Sequence, residues 1–228
     1  MTSVIEKPQL RDRPVPDKYV AFVDLLGFSE RVLSKFDATL QVYESVLGGA
    51  GMVSSTLPDV KISIYSDSFI LVSDKLPDIV WATQGILMQT LFHDCLARGG
   101  IAYGKHLEVV EGQNLFVVSE ALVKAAMVER EVKHPCVALH HELQLSDEWW
   151  AARYARNLDR SVLYFGGLRL VNPCNMGWGQ SAGTRVRQML EATPRYRDKY
   201  EWFLELHDAI FSPVPMVPPR YLVPVDAA

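Results

Sequence analysis

Tyr19-Val-Ala-Phe-Val-Asp-Leu-Leu-Gly-Phe28 reads as a strand apolar on both faces that ends on one carboxylate, Asp24, and breaks at Gly27. Apolar residues on both faces mark a central strand, covered above and below. The same event recurs in Lys61-Ile-Ser-Ile-Tyr-Ser-Asp-Ser-Phe-Ile-Leu-Val72, where Asp67 interrupts an apolar pattern. Ile62 and Ile64 fall on one side of that segment, and Lys61, Ser63 and Tyr65 on the other. Two aspartates at the ends of apolar strands are expected to face each other across a sheet edge. Carboxylate oxygens suit hard cations, and paired cations are a known means of activating one oxygen while neutralising phosphate charge. Phosphoryl chemistry on a nucleotide is therefore the first expectation.

Outward from these strands the chain alternates helix and strand signals. A helical region is expected from about Ser29 to Ser54, broken near Ala38 and at Gly48-Gly49. Pro77 and Asp78 open a second helix, with Val80, Leu87, Leu91 and Cys95 on one stripe, and Gly99-Gly100 is expected to end it. A strand then runs from Ile101 to Val110, and the turn Glu111–Asn114 leads into Leu115–Val118. Ser119 is placed to cap a helix reaching about Val132. Pro135–His140 reads as a strand, Trp149 to about Asn157 as a short helix, and Ser161–Val171 as a strand. The Gly- and Asn-rich loop 172–183 precedes a long helical segment interrupted at Pro194, whose second part puts Tyr200, Phe203, Leu204, His207 and Phe211 on one stripe.

The expected fold class is α+β: a ferredoxin-like domain with a mixed, mainly antiparallel sheet and a C-terminal helical extension, since the hairpin at Asp67 needs antiparallel pairing. The expected division is a loose leader over 1–17, one domain over 18–212 and a proline-rich tail over 213–228. No internal repeat, low-complexity block or long linker is present.

Composition narrows the function classes. The 228 residues are 49% hydrophobic and 22% charged, with a net charge of −4. That balance gives no basic excess, so a nucleic-acid partner is not expected. No apolar run approaches the roughly 20 residues that span a bilayer, so no membrane association is expected. Cys95, Cys136 and Cys174 have no metal-ligand spacing and read as buried free thiols of a reducing, cytoplasmic compartment. His140-His141 is not expected to hold a metal, because neighbours on a strand point to opposite faces. Trp149-Trp150 reads as core or interface.

Phe22-Val-Asp24-Leu-Leu-Gly27-Phe28, then Tyr65-Ser-Asp67-Ser, then Arg98-Gly-Gly-Ile-Ala-Tyr-Gly104, then Ala121 to Glu129 resembles the class III nucleotidyl cyclases. The resemblance covers about residues 18–140. Its wording is most similar to the bacterial pyrimidine (uridylate or cytidylate) cyclases of anti-phage cyclic-nucleotide signalling. It implies two divalent cations, Mn²⁺ or Mg²⁺, held by Asp24, Asp67 and the carbonyl of Leu25. It implies a homodimer with shared active sites, and a separate effector reached through the diffusible cyclic nucleotide. The turn at Gly27 and Phe28 would meet the triphosphate with free N–H groups, and Phe22 would pack on ribose or base.

Departures from the family pattern set the substrate expectation. Adenine-selective relatives carry a Lys where Ser63 stands and an Asp near the position of Phe116. The Asn and Arg of their late helix correspond to Val123 and Val128. Loss of the purine readers points to a pyrimidine. Loss of the helix Arg leaves Arg98, with Arg130 behind it, as the substitute for transition-state charge. Arg98 reads as the end of a helix, where the macrodipole favours a cation in any case. Arg98 or Tyr65 would donate to a uracil carbonyl, so UTP is the first choice and cyclic UMP the product. CTP, a purine triphosphate, or a non-catalytic nucleotide-binding dimerisation module remain as alternatives.

Overall fold

β1 (Asp17–Leu25) is the strand around which the other elements are ordered. It pairs antiparallel with β3 (Ser68–Ser73) on one side and β4 (Ala97–Glu111) on the other. β2 (Lys61–Tyr65) completes the hairpin with β3. The computed structural model describes residues 13–145, 161–175 and 179–211. The leader up to residue 12, the Trp149–Asn157 helix with Trp149-Trp150, and the tail from 213 lie outside the described residues.

The remaining elements are α1 (Phe28–Ser34), α2 (Phe36–Thr56), α3 (Leu76–Phe92), β5 (Asn114–Ser119) and α4 (Glu120–Glu131). They are followed by β6 (Val137–Leu139), β7 (Val162–Phe165), β8 (Leu168–Val171), α5 (Gly179–Ala192), a 3-10 turn (Pro194–Tyr196) and α6 (Arg197–Phe211). Among the described residues the sheet runs β2-β3-β1-β4-β6-β8-β7, with β5 paired to the outer part of β4. Strands β2-β3-β1-β4, entered in the order β-α-β-β-α-β and all antiparallel, are the ferredoxin-like arrangement. The β4–β6 pair is parallel, which makes the sheet mixed.

Alternation along β1 sorts its side chains. Ala21, Val23 and Leu25 enter one core with Phe69, Leu71, Ile79 and Ile86, beneath α2 and α3. Phe22 and Asp24 take the opposite face, under α4, where their β4 neighbours are Gly100 and Arg98. A second core joins Val128 of α4 and Val132 just after it to Leu163, Leu170, Val186, Phe203 and Leu206, seating α5 and α6 on β7 and β8. The loop Asn172–Asn175 is anchored to α3: Gln84 donates to the Asn172 carbonyl at 3.0 Å, and Ser161 donates to Gln84 at 3.2 Å.

Several boundaries differ from the sequence reading. α2 runs through Gly48-Gly49 and the break falls at Lys35; Gly49 faces Gln89 of α3 so closely that a Cβ would sit 2.5 Å from its Cγ. α3 ends at Phe92, and Gly99-Gly100 lies inside β4. A Cβ on Gly100 would come within 2.3 Å of the Ala125 carbonyl oxygen, so this pair admits α4 to the sheet and does not end a helix. Arg98 is accordingly on a strand, away from any helix C-terminus. Residues 161–171 form a hairpin turning at Gly166-Gly167. His140 and His141 follow β6, and their rings sit 4.2 Å apart. The Ser119 cap forms as expected, accepting from the Leu122 N–H at 3.0 Å.

Candidate active site

Two short connections bring the aspartates together. Asp24 is the penultimate residue of β1, opposite Ser68 of β3 and Arg98 of β4. Asp67 sits in the turn joining β2 to β3, after Ser66 in the left-handed region (φ 54°). The Leu25 N–H donates to the Asp67 carbonyl at 2.9 Å, so a main-chain bond fixes the turn against the end of β1. Gly27 then takes a left-handed φ of 73° to turn the chain into α1. All four residues Asp24, Leu25, Gly27 and Asp67 line one cleft of about 850 Å³.

The electrostatics of this floor are strained. Burial, first, and the nearby Asp67 carboxylate, second, push the Asp24 carboxyl up to about 6, against an opposing pull from Arg98. Ser68 donates to Asp24 at 3.4 Å, and Ser29 donates to Asp67 at 3.0 Å. The donor set fits a hard divalent cation: all oxygen, anionic, and crowded enough to gain from a positive charge between them. Among the described residues no three His, Cys, Asp or Glu side chains form a metal-holding group, so a cation would rely on Asp24, Asp67 and main-chain oxygen.

The other expected site residues are spread more widely. Arg98 lines the cleft, but its Nε lies 2.5 Å from Glu129 and 3.6 Å from Asp24 of the same chain. Glu129, on α4 and almost fully buried, thus occupies the cation that was expected to meet substrate. Phe28 is core, 4% exposed, with its ring against Tyr43 at 5.9 Å. Phe22 lies between sheet and α4, and Tyr65 is half exposed at the end of β2; neither lines the cleft. The Leu25 side chain is core, leaving its main chain at the cleft. Val128 is packed beneath α4 against the position of Gly100, and Val123 is exposed. Phe116 is exposed on β5, opposite Val109.

The sequence reading missed Glu129 and the whole far wall of the cleft. That wall comes from the C-terminal extension, through Thr193, Arg195, Tyr196, Lys199 and Tyr200. A signal for Glu129 did exist: Ala121, Ala125 and Val128 mark the buried stripe of α4, and Glu129 is an acid on it. The three cysteines are buried and free, with burial pushing Cys136 and Cys174 each up to about 12. No described helix is long and apolar enough to cross a membrane.

No protein-family model matches the sequence, and no curated relative matches it at a significant level. Solved structures do resemble it in shape. A bacterial light-regulated adenylyl cyclase is 14% identical, covering 78% of this chain and 100% of that one, with a TM-score of 0.48. The guanylate cyclase domain from Catenaria anguillulae in complex with GTP is 12% identical over 68% of this chain and 92% of that one, with a TM-score of 0.47. A class III adenylyl cyclase-like ATP-binding protein from Pseudomonas aeruginosa is 14% identical over 81% of this chain and 48% of that one, with a TM-score of 0.48.

Proposed function

We propose that this protein is a metal-dependent nucleotide cyclase that converts UTP to cyclic UMP and pyrophosphate. The observation that carries the reading is the Asp24–Asp67 pair, two carboxylates brought to one cleft by a main-chain bond, where burial first and the Asp67 charge second push Asp24 up to about 6. Divalent cations held by Asp24, Asp67 and the Leu25 carbonyl would acidify the ribose 3′-hydroxyl and neutralise the departing pyrophosphate. In the reaction the 3′-oxygen bonds to the α-phosphorus in line as the α–β anhydride bond breaks. The chain itself holds the two carboxylates in register, and the walls of the cleft bound the triphosphate.

The pyrimidine reading is supported by Ser63 and Phe116, which replace the purine-reading Lys and Asp of the resembled family. Because Arg98 is engaged by Glu129, the donor argument for uracil falls on Tyr65 or on a second subunit. A homodimer with shared sites is supported by the β4–β5 ribbon, which exposes Val110, Leu115, Phe116, Val117 and Val118, beside Val123 of α4. A water-exposed apolar patch of this kind calls for a partner surface. The cellular role we propose, from the resemblance, is production of a second messenger for a separate effector in anti-phage defence.

A second reading is a non-catalytic nucleotide-binding module. The observation favouring it is Glu129, which engages Arg98, the cation paired with Asp24. One experiment separates the two. The protein is incubated with each of the four nucleoside triphosphates and Mn²⁺ or Mg²⁺, and products are read by mass spectrometry. Cyclic UMP as the main product, lost in Asp24→Asn, is expected. Cyclic AMP or cyclic GMP as the main product refutes the pyrimidine reading. Nucleotide binding with no cyclic product establishes the second.

A further inference from the structure

Five basic side chains line the cleft, and three of them are committed elsewhere. Arg31 donates to the carbonyls of His93 and Asp94 at 3.1 and 2.6 Å. Arg98 is held by Glu129 and Asp24. Lys199 donates to the Lys133 carbonyl at 2.6 Å and pairs with Asp198 at 3.1 Å. Lys35, at the break between α1 and α2, is bonded through its main chain to Arg31 and Thr39, but its ammonium group has no hydrogen-bond or ion-pair partner among the described residues. Arg195 is held by one acid, Glu30, at 2.8 and 2.9 Å. That pair is open to water, with the side chains 70% and 55% exposed.

The 3-10 turn carrying Arg195 is also docked on the Gly27 turn. Tyr196 donates to the same Glu30 carboxylate at 2.8 Å, and its ring would lie 3.4–3.5 Å from a Cβ on Gly27. The extension therefore sets a cation on Glu30, one residue before Tyr196, which packs on the turn that follows Asp24. α1 has only seven residues, so its main chain contributes little to holding an anion there, and side-chain charge must do so. Exposed Arg–carboxylate pairs are weak, whereas a phosphate offers the guanidinium fork two oxygens and more negative charge.

We infer that Arg195, supplied by the C-terminal extension of the same chain, is a triphosphate-binding residue that exchanges Glu30 for phosphate oxygens, with Lys35 as its companion. This deepens the proposed nucleotide site and rests on it for the identity of the anion. Glu30 is placed as an internal stand-in for the phosphate. Its removal and the removal of Arg195 should then act in opposite directions.

The test measures binding of inorganic tripolyphosphate with Mg²⁺ by titration calorimetry, beside cyclisation of UTP. Arg195→Ala should weaken tripolyphosphate binding tenfold or more, with Arg195→Lys recovering part of it. Lys35→Ala should weaken it about threefold to tenfold, and Glu30→Gln should leave it unchanged or tighten it. Arg195→Gln, with near-ultraviolet circular dichroism, guards against a folding defect. Wild-type binding in Arg195→Ala overturns the inference, as does failure of the wild-type protein to bind tripolyphosphate. So does a Glu30→Gln loss equal to that of Arg195→Ala, which would make the pair only a staple for the extension. Arg195-dependent tripolyphosphate binding without cyclisation of any nucleotide would sink the proposed function and leave this inference standing.

Discussion

The floor and the roof of the cleft are built on opposite plans. The floor, at Asp24 on β1 and Asp67 in the β2–β3 turn, is half-buried, and the turn is fixed to β1 by the main-chain bond from Leu25 to Asp67. The roof, at Arg195 and Tyr196, is a short turn between helices, exposed and held by side-chain contacts to Glu30. The contrast fits the roles proposed for each. Carboxylates that share a cation need fixed spacing and low dielectric. A cation that meets a diffusing anion needs access and a contact it can give up.

The comparison breaks most decisively at the floor. Asp24→Asn or Asp67→Asn should lower cyclisation at least a hundredfold with the fold retained by circular dichroism; more than a few per cent of activity in both would remove the two-metal assignment. The ribbon comes next. Val118→Lys or Phe116→Asp should yield a monomer by light scattering and lower activity tenfold or more, while a fully active monomer would contradict shared sites. Because Arg98 and Asp24 pair within one chain, mixing Asp24→Asn with Arg98→Ala chains should give no rescue beyond the parents.

The third prediction concerns acid and metal. Asp24 moves from an ordinary carboxyl near 3.8 to about 6 on folding, so ionising it costs the metal-free folded state. Its contribution is fully present below pH 3.8 and is lost as pH rises through about 6. Asp24→Asn should therefore stabilise the metal-free protein by about 1–3 kcal/mol at pH 8, with the gain gone at pH 3.5. Metal affinity should fall as pH drops through about 6, since the proton competes for the same oxygen. Urea unfolding and metal titration across this range check both signs.

Smaller effects sharpen the boundary of the site. Arg98→Gln should cost about 1–3 kcal/mol of stability, because it leaves Glu129 buried without its ion partner. Tyr65→Phe should change kcat/KM less than threefold if base reading stays within one chain's cleft. A shift in UTP-to-CTP selectivity in that variant would show that the base is read across the dimer.

What the sequence disclosed and what it concealed divide along the same line. Asp24, Asp67 and Gly27 were legible because strand alternation and turn chemistry are local, and the ferredoxin-like sheet followed from the hairpin they imply. Gly99-Gly100 misled because a glycine pair after an apolar helix looks like a stop. Its actual reason, the approach of Ala125 and the Phe22 carbonyl to β4, is a tertiary one. Phe28 was expected to offer its main-chain N–H to the triphosphate; that its side chain is a core residue, 4% exposed, was not legible beside Gly27. Arg195 was invisible because nothing near Pro194 in sequence indicates that it returns to Glu30.

β4 is one uninterrupted strand of 15 residues, with Arg98 near its start and Val110 near its end. At about 3.3 Å per residue those two positions are roughly 40 Å apart along a single extended rod. Its inner part is paired with β1 and β6, and its outer part pairs with β5, tied back by Lys61 of β2 to Glu108 and by the buried Val109. If the proposed dimer docks on the ribbon, the contact there and Arg98 beside Asp24 fall on one strand with no loop between them.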